Sequence, residues 1–104
     1  MILCKQRRGN DLILCVLSKS NAVLSSLYAI YTEEKKLIIT SLSTREDQRS
    51  CGYASALMKR VIWEARRNGV CQIELDDCTD GSSIYVMHGF YPVSPGFPEM
   101  RFTL

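Results

Sequence analysis

The sequence predicts an α/β (α+β) fold: one domain in which a mixed, mostly antiparallel sheet with a central βαβ unit packs against one long helix. Three observations carry this. The first half alternates β-rich apolar runs with short polar turns, and residues 52–68 hold the one long stretch with helical spacing. That stretch is flanked by two strands, which a right-handed crossover makes parallel. At 104 residues, 46% of them apolar, the chain is one domain by length and fills a single core.

The elements follow in order. Ile2 to Gln6 and Asp11 to Ser18 are rich in Ile, Leu, Val and Cys, and "RRGN" between them supplies the reversal of a hairpin. After "SKSN", Ala22 to Tyr31 reads as a strand, although Val23, Leu24 and Leu27 also fit a helical spacing. A charged turn, "TEEKK", leads to the β-branched strand Leu37 to Thr44. In Gly52 to Asn68 the apolar stripe is Ala54, Leu57, Met58, Val61, Ile62 and Ala65, and the spacing assigns Lys59, Arg60, Glu64, Arg66 and Arg67 to the solvent face. Asn68-Gly69 stops this helix, with two arginines complementing its negative end. Val70 to Leu75 is the parallel partner strand. "DDCTDGSS" breaks the chain, Ser83 to His88 is a short helical turn ending at Gly89, and "FYPVSPGFPEMRFTL" makes two strands around a proline-rich turn.

Thirteen basic and eleven acidic residues leave a net charge of +2, with no long basic block. The short clusters Lys5 to Arg8 and Arg66-Arg67 read as solvated surface, so nucleic acid is not the expected partner. Five cysteines, Cys4, Cys15, Cys51, Cys71 and Cys78, contain no C-x-x-C pair and no histidine at zinc-ligand spacing. They predict no metal and a reduced, cytoplasmic compartment, with Cys4 and Cys15 acting as small buried hydrophobes. No apolar run approaches the roughly 18 residues of a membrane span.

The chemistry is concentrated where the strand ending near Thr44 turns into the helix. A helix start leaves backbone N–H groups unpaired and aimed at one spot, which attracts anions. Gly52 and Ala54 let a phosphate approach the main chain, and Arg49 adds a forked cationic donor. The implied ligand is a diphosphate. Neither the G-x-x-x-x-G-K-[ST] string of an NTPase nor the G-x-G-x-x-G of a dinucleotide fold is present, which leaves R-x-x-G-x-A. Taken alone, Gly52 is equally a plain helix-entry glycine.

"RSCGYA" followed by "LMKRVIWEARRNGVCQIEL" closely resembles the acetyl-CoA motif of the GCN5-related N-acetyltransferases (GNAT), and "IYVMHGFYPV" resembles that family's second signature. The two cover about residues 37 to 93. The resemblance implies a GNAT-like fold in a short form, with acetyl-CoA as co-substrate. Main-chain N–H groups of Ser50, Cys51, Gly52, Tyr53 and Ala54, assisted by Arg49, would hold the CoA diphosphate. The strand at Leu42, Ser43 and Thr44 would splay from that at Ile73 to Asp76, so that a main-chain N–H near Leu42 polarises the thioester. Tyr85 aligns with the tyrosine that protonates the departing thiolate, and an amine, on a small molecule or a protein N-terminus or lysine, attacks directly.

Beside these roles stand plainer ones: Tyr85 as a core residue with its hydroxyl at the rim, Cys51 as a loop cysteine, and His88 complementing a helix end. The chain also departs from the family pattern. It lacks the two helices usual after the first strand, and "LIITSLST" carries no acid to serve as base; Glu74, Asp76 and Asp77 are unassigned substitutes. These gaps imply an alternative, a degenerate GNAT-fold module that binds CoA or a protein without catalysis. The lost helices also predict an uncovered sheet face at Leu14, Val16 and Leu27, closed by a homodimer or a docking partner.

Overall fold

Polar turns fold the first half into a four-stranded meander, β1 (Ile2–Arg8), β2 (Asp11–Leu17), β3 (Val23–Tyr31) and β4 (Lys36–Thr44), in a computed structural model describing residues 2–49, 51–75, 82–93 and 100–104. Helix α1 (Tyr53–Arg67) then crosses back to β5 (Gln72–Leu75), and α2 (Ser82–Met87), β6 (Tyr91–Pro92) and β7 (Met100–Thr103) complete the order. The strands form one sheet, β1-β2-β3-β4-β5-β7-β6, in which β4 and β5 run parallel and every other pair is antiparallel. This is the mixed sheet and βαβ unit that the pattern predicts, and Val23–Tyr31 resolves as strand. No helix among the described residues is long and apolar enough to cross a membrane.

Period-two alternation gives the sheet two unlike faces. On one, the register lines up Leu12, Leu14 and Val16 of β2 with Ala29, Leu27 and Ser25 of β3. The same layer continues through Leu37 and Ile39 to Ile73 and Leu75, and on to Phe102 and Met100. Helix α1 lies over this layer, packing on β2, β3 and β4 with Leu57, Met58, Val61 and Ala65 fully buried. Leu14, Val16 and Leu27 are therefore 0% exposed, against the expectation of an uncovered face there. The open face is the opposite one, where Tyr28 and Ile30 are 44% and 41% exposed. Alternation separates the faces, but only the side on which α1 returns decides which is covered. Cys4 is exposed and Cys15 half-buried on that open side, so neither is the buried hydrophobe predicted.

Glu64 overturns a second expectation. Its side chain is fully buried instead of solvated. One carboxylate oxygen accepts from Lys5 Nζ at 3.0 Å and the other from Arg60 Nε, one turn earlier, at 3.0 Å. Both cations reach in from the rim, with side chains 40% and 38% exposed, so they keep part of their hydration while the carboxylate keeps two charged donors. Beside this cluster the Arg7 guanidinium lies 4.2 Å over the Tyr31 ring and donates to Asn68 Oδ1 at 3.2 Å. Burial pushes the Tyr31 hydroxyl above its ordinary pKa while Arg7 pulls it down. Edge strand β1 is thus tied to α1 as well as to β2.

Replacing Glu64 by Gln keeps the shape and removes the charge. It should lower stability by about 1–3 kcal/mol in urea unfolding, less than for a fully buried orphan because Lys5 and Arg60 can hydrate. An unchanged midpoint would show that the cluster contributes nothing.

Candidate functional site

The site begins in β4. Ile39 pairs with Ala29 and Ser41 with Tyr28, so Thr40 is an extra residue, a bulge whose hydroxyl donates to the Tyr28 carbonyl at 3.3 Å. The bulge shifts the alternation. Before it, Leu37 and Ile39 face the α1 layer; after it, Leu42 packs on the core and Thr44 Oγ1 meets the buried Ser25 Oγ at 2.9 Å. Meanwhile the parallel ladder with β5 ends at Ile39↔Leu75. Leu42, Ser43 and Thr44 have no β5 partner among the described residues; the positions that would continue β5 beside them, from Asp76 on, lie outside those residues, as does the end of the expected Ile73 to Asp76 strand.

Beyond Thr44, a single 3-10 turn, Glu46–Gln48, carries the chain to α1. Asp47 is held by Arg45 through contacts of 3.1 and 2.8 Å. Arg49 is extended and exposed, and its guanidinium makes no ion pair among the described residues. The Cys51 thiol turns back toward the Arg49 carbonyl, 3.8 Å away.

Gly52 is the N-cap of α1 at φ 83°, ψ 8°, a left-handed conformation that L side chains disfavour. A Cβ there would meet nothing within 4 Å, so the backbone angle requires glycine and the space before it is open. No side chain caps the helix and its first turn holds no acid. The first in-helix bond is from Ala56 N–H to the Gly52 carbonyl at 3.0 Å. The N–H groups of Gly52, Tyr53, Ala54 and Ser55 consequently have no acceptor within the helix, beside the exposed Arg49. Ser50 lies outside the described residues.

Tyr85 is buried on α2, its ring 5.8 Å from that of Phe90. The helix ends through bonds from Gly89 N–H to Val86 and from Phe90 N–H to Tyr85, the pattern of a Schellman cap. Gly89, at φ 95°, is pressed so close to Phe102 that a Cβ would stand 3.0 Å from that ring. The Gly-Phe pair thereby seats Phe90 between Tyr85 and Phe102.

His88 does more than end a helix. Its Nε2 is 2.9 Å from Ser55 Oγ, which joins the end of α2 to the first turn of α1. The spacing of these residues, 33 apart in the chain, carries no signal of this contact. Burial first, and then Lys59, hold His88 below the ordinary histidine pKa. Of the substitute bases, Glu74 is engaged by Lys36 at 3.4 Å and Arg101 at 3.3 Å, while Asp76 and Asp77 lie outside the described residues. Among the described residues no three His, Cys, Asp or Glu side chains group as metal ligands would.

The depressed His88 pKa predicts a sign. The unfolded chain binds this proton more readily, so the contribution of neutral His88 is present above about pH 6.5 and is lost as pH falls through the lower folded value. Urea midpoints should therefore drop more between pH 7.5 and pH 5 in the wild type than in His88→Gln. Parallel drops would refute this.

Comparison with known proteins gives the family and the fold. The model of the acetyltransferase (GNAT) family matches residues 5–91. No curated protein matches the chain by sequence. Among solved structures, an acetyltransferase of the GNAT family from Staphylococcus aureus Mu50 superposes with a TM-score of 0.80 at 14% identity, over 92% of this chain and 69% of that one. Tetrahymena GCN5 gives 0.78 at 11% identity, over 92% and 69%. The PaiA N-acetyltransferase of Thermoplasma acidophilum, solved in complex with coenzyme A, gives 0.78 at 14% identity, over 91% and 62%. At these identities the likeness is one of fold, and the chain spans about two thirds of each neighbour's length.

Proposed function

The chain belongs to the GNAT acetyltransferase family, and on that premise we propose that it moves an acetyl group from acetyl-CoA to an amine. The observation that carries the reading is the uncapped, acid-free start of α1 behind Gly52. Four N–H groups with no acceptor inside the helix, at the positive end of fifteen helical residues, suit a diphosphate, and the open space beside Gly52 admits it. Arg49, exposed beside them, adds a charge-assisted contact, and Ser50, Cys51, Tyr53 and Ala54 complete the loop.

In this reading the thioester is supplied by acetyl-CoA, and its pantetheine arm lies between β4 and the strand that follows Ile73, splayed apart near Leu42. A main-chain N–H near Leu42, with Ser43 and Thr44 alongside, polarises the acetyl carbonyl. The amine attacks that carbon directly, and Tyr85 gives its hydroxyl proton to the departing sulfur. The acceptor is a small molecule or a protein N-terminus or lysine. A second reading, binding without transfer, is favoured by one observation: Glu74 is occupied by Lys36 and Arg101, and β4 offers no carboxylate to take the amine's proton.

Calorimetric titration separates these. Acetyl-CoA should bind, and Arg49→Ala should weaken binding about tenfold, the loss of one charge-assisted bond of about 1.4 kcal/mol at an exposed site. No binding at millimolar ligand would sink acetyl transfer and CoA binding alike, leaving only a module that binds a protein. Tyr85→Phe should cut kcat by about 10²-fold or more with CoA affinity preserved, if the hydroxyl is the acid. Unchanged turnover removes that role, and binding without thiol release from any amine tested supports the non-catalytic reading.

A further inference from the structure

The open sheet face carries a pair of thiols that the acetyl-transfer reading does not use. Cys4 and Cys15 are direct partners in the antiparallel β1–β2 register. Their immediate neighbours Leu3 and Val16 point to the α1 side, so both thiols stand on the uncovered side. Opposite residues in such a pair have Cα atoms about 4.5 or 5.5 Å apart. Both spacings fall inside the roughly 4.4–6.8 Å that a disulfide spans. Cys4 is exposed and Cys15 half-buried, beside half-buried Ile13 and Leu17 on its own strand and Ser26 across from it. The proximity registers electrostatically as well: burial raises the pKa of the Cys15 thiol, and Cys4 raises it further.

From this register and exposure, we infer that Cys4 and Cys15 form a reversible redox site that reacts with low-molecular-weight disulfides of the glutathione class. The exposed Cys4 thiolate attacks one sulfur of the oxidised reagent, forming a mixed disulfide and expelling one reagent thiolate. The Cys15 thiolate then attacks the Cys4 sulfur, closing Cys4–Cys15 and expelling the second. The protein dithiol is oxidised by two electrons, the reagent disulfide is reduced to two thiols, and the two protein protons pass to the departing thiolates. Opposed Cβ atoms in a sheet, about 4.5–5.5 Å apart, are wider than a relaxed disulfide prefers, so the bridge should be readily reduced. Once closed, it pins the middle of edge strand β1 to β2.

The test is direct because trypsin cuts between the two cysteines at Lys5, Arg7 and Arg8. The folded protein is incubated with oxidised glutathione, its remaining thiols are alkylated, and the digest is mapped by mass spectrometry. The expected product is the peptide ending at Lys5 disulfide-linked to the one ending at Lys19, lost on mild reduction. In Cys15→Ser the second step is blocked, so Cys4 should stay glutathionylated where the wild type releases the adduct. Recovery of Cys4 and Cys15 on separate alkylated peptides, or an adduct on Cys4 that persists equally in the wild type and Cys15→Ser, overturns the inference.

Discussion

The placement of every other element follows from one contact, α1 lying on a single face of the sheet. Leu57, Met58, Val61 and Ala65 belong to one cluster with Leu14, Leu27, Leu37, Ile39 and Ile73, all nearly or wholly withdrawn from water. Fully burying a leucine or valine side chain contributes about 1.5–3 kcal/mol, so this layer supplies a large part of the drive to fold. That contact also orients the helix ends. With its apolar stripe fixed, the N-terminus of α1 is brought to the end of β4, and Glu64 is turned beneath β1.

The cluster around Glu64 shows how a short chain secures an exposed edge. Among the described residues β1 has β2 on one side and no strand on the other, a geometry that invites pairing with other chains. Its α1-facing side chains are Leu3, Lys5 and Arg7, and only the first is apolar. Electrostatics replaces burial there: Lys5 reaches the buried carboxylate and Arg7 covers Tyr31. The same cations discourage self-pairing at the edge, since an opposing copy would bring like charges together.

Two backbone irregularities prepare the candidate site. The Thr40 bulge turns Leu42 and Thr44 toward the α1 layer, and the left-handed Gly89 seats Phe90 beside Tyr85. They differ in legibility. Glycine next to phenylalanine after a short helical run is visible in the chain, whereas nothing in "LIITSLST" marks Thr40 as the extra residue, because a bulge is defined by the partner strand. The Ser55–His88 bond is hidden for the same reason, joining residues that only the docking of α2 on α1 brings together.

The sequence by itself determined what depends on neighbours along the chain: the order of strands and helices, the hairpin at Gly9-Asn10, the parallel β4–β5 crossover, and the glycine-led, acid-free start of α1. Period, capping and turn chemistry are local, so they can be read residue by residue. Tertiary structure decided which face α1 covers, and so buried Leu14, Val16 and Leu27 while exposing Tyr28 and Ile30. It also withdrew Glu64 from solvent and set Cys4 beside Cys15. These outcomes rest on strand register and on the side of the sheet to which the helix returns, and no periodicity within one segment encodes either.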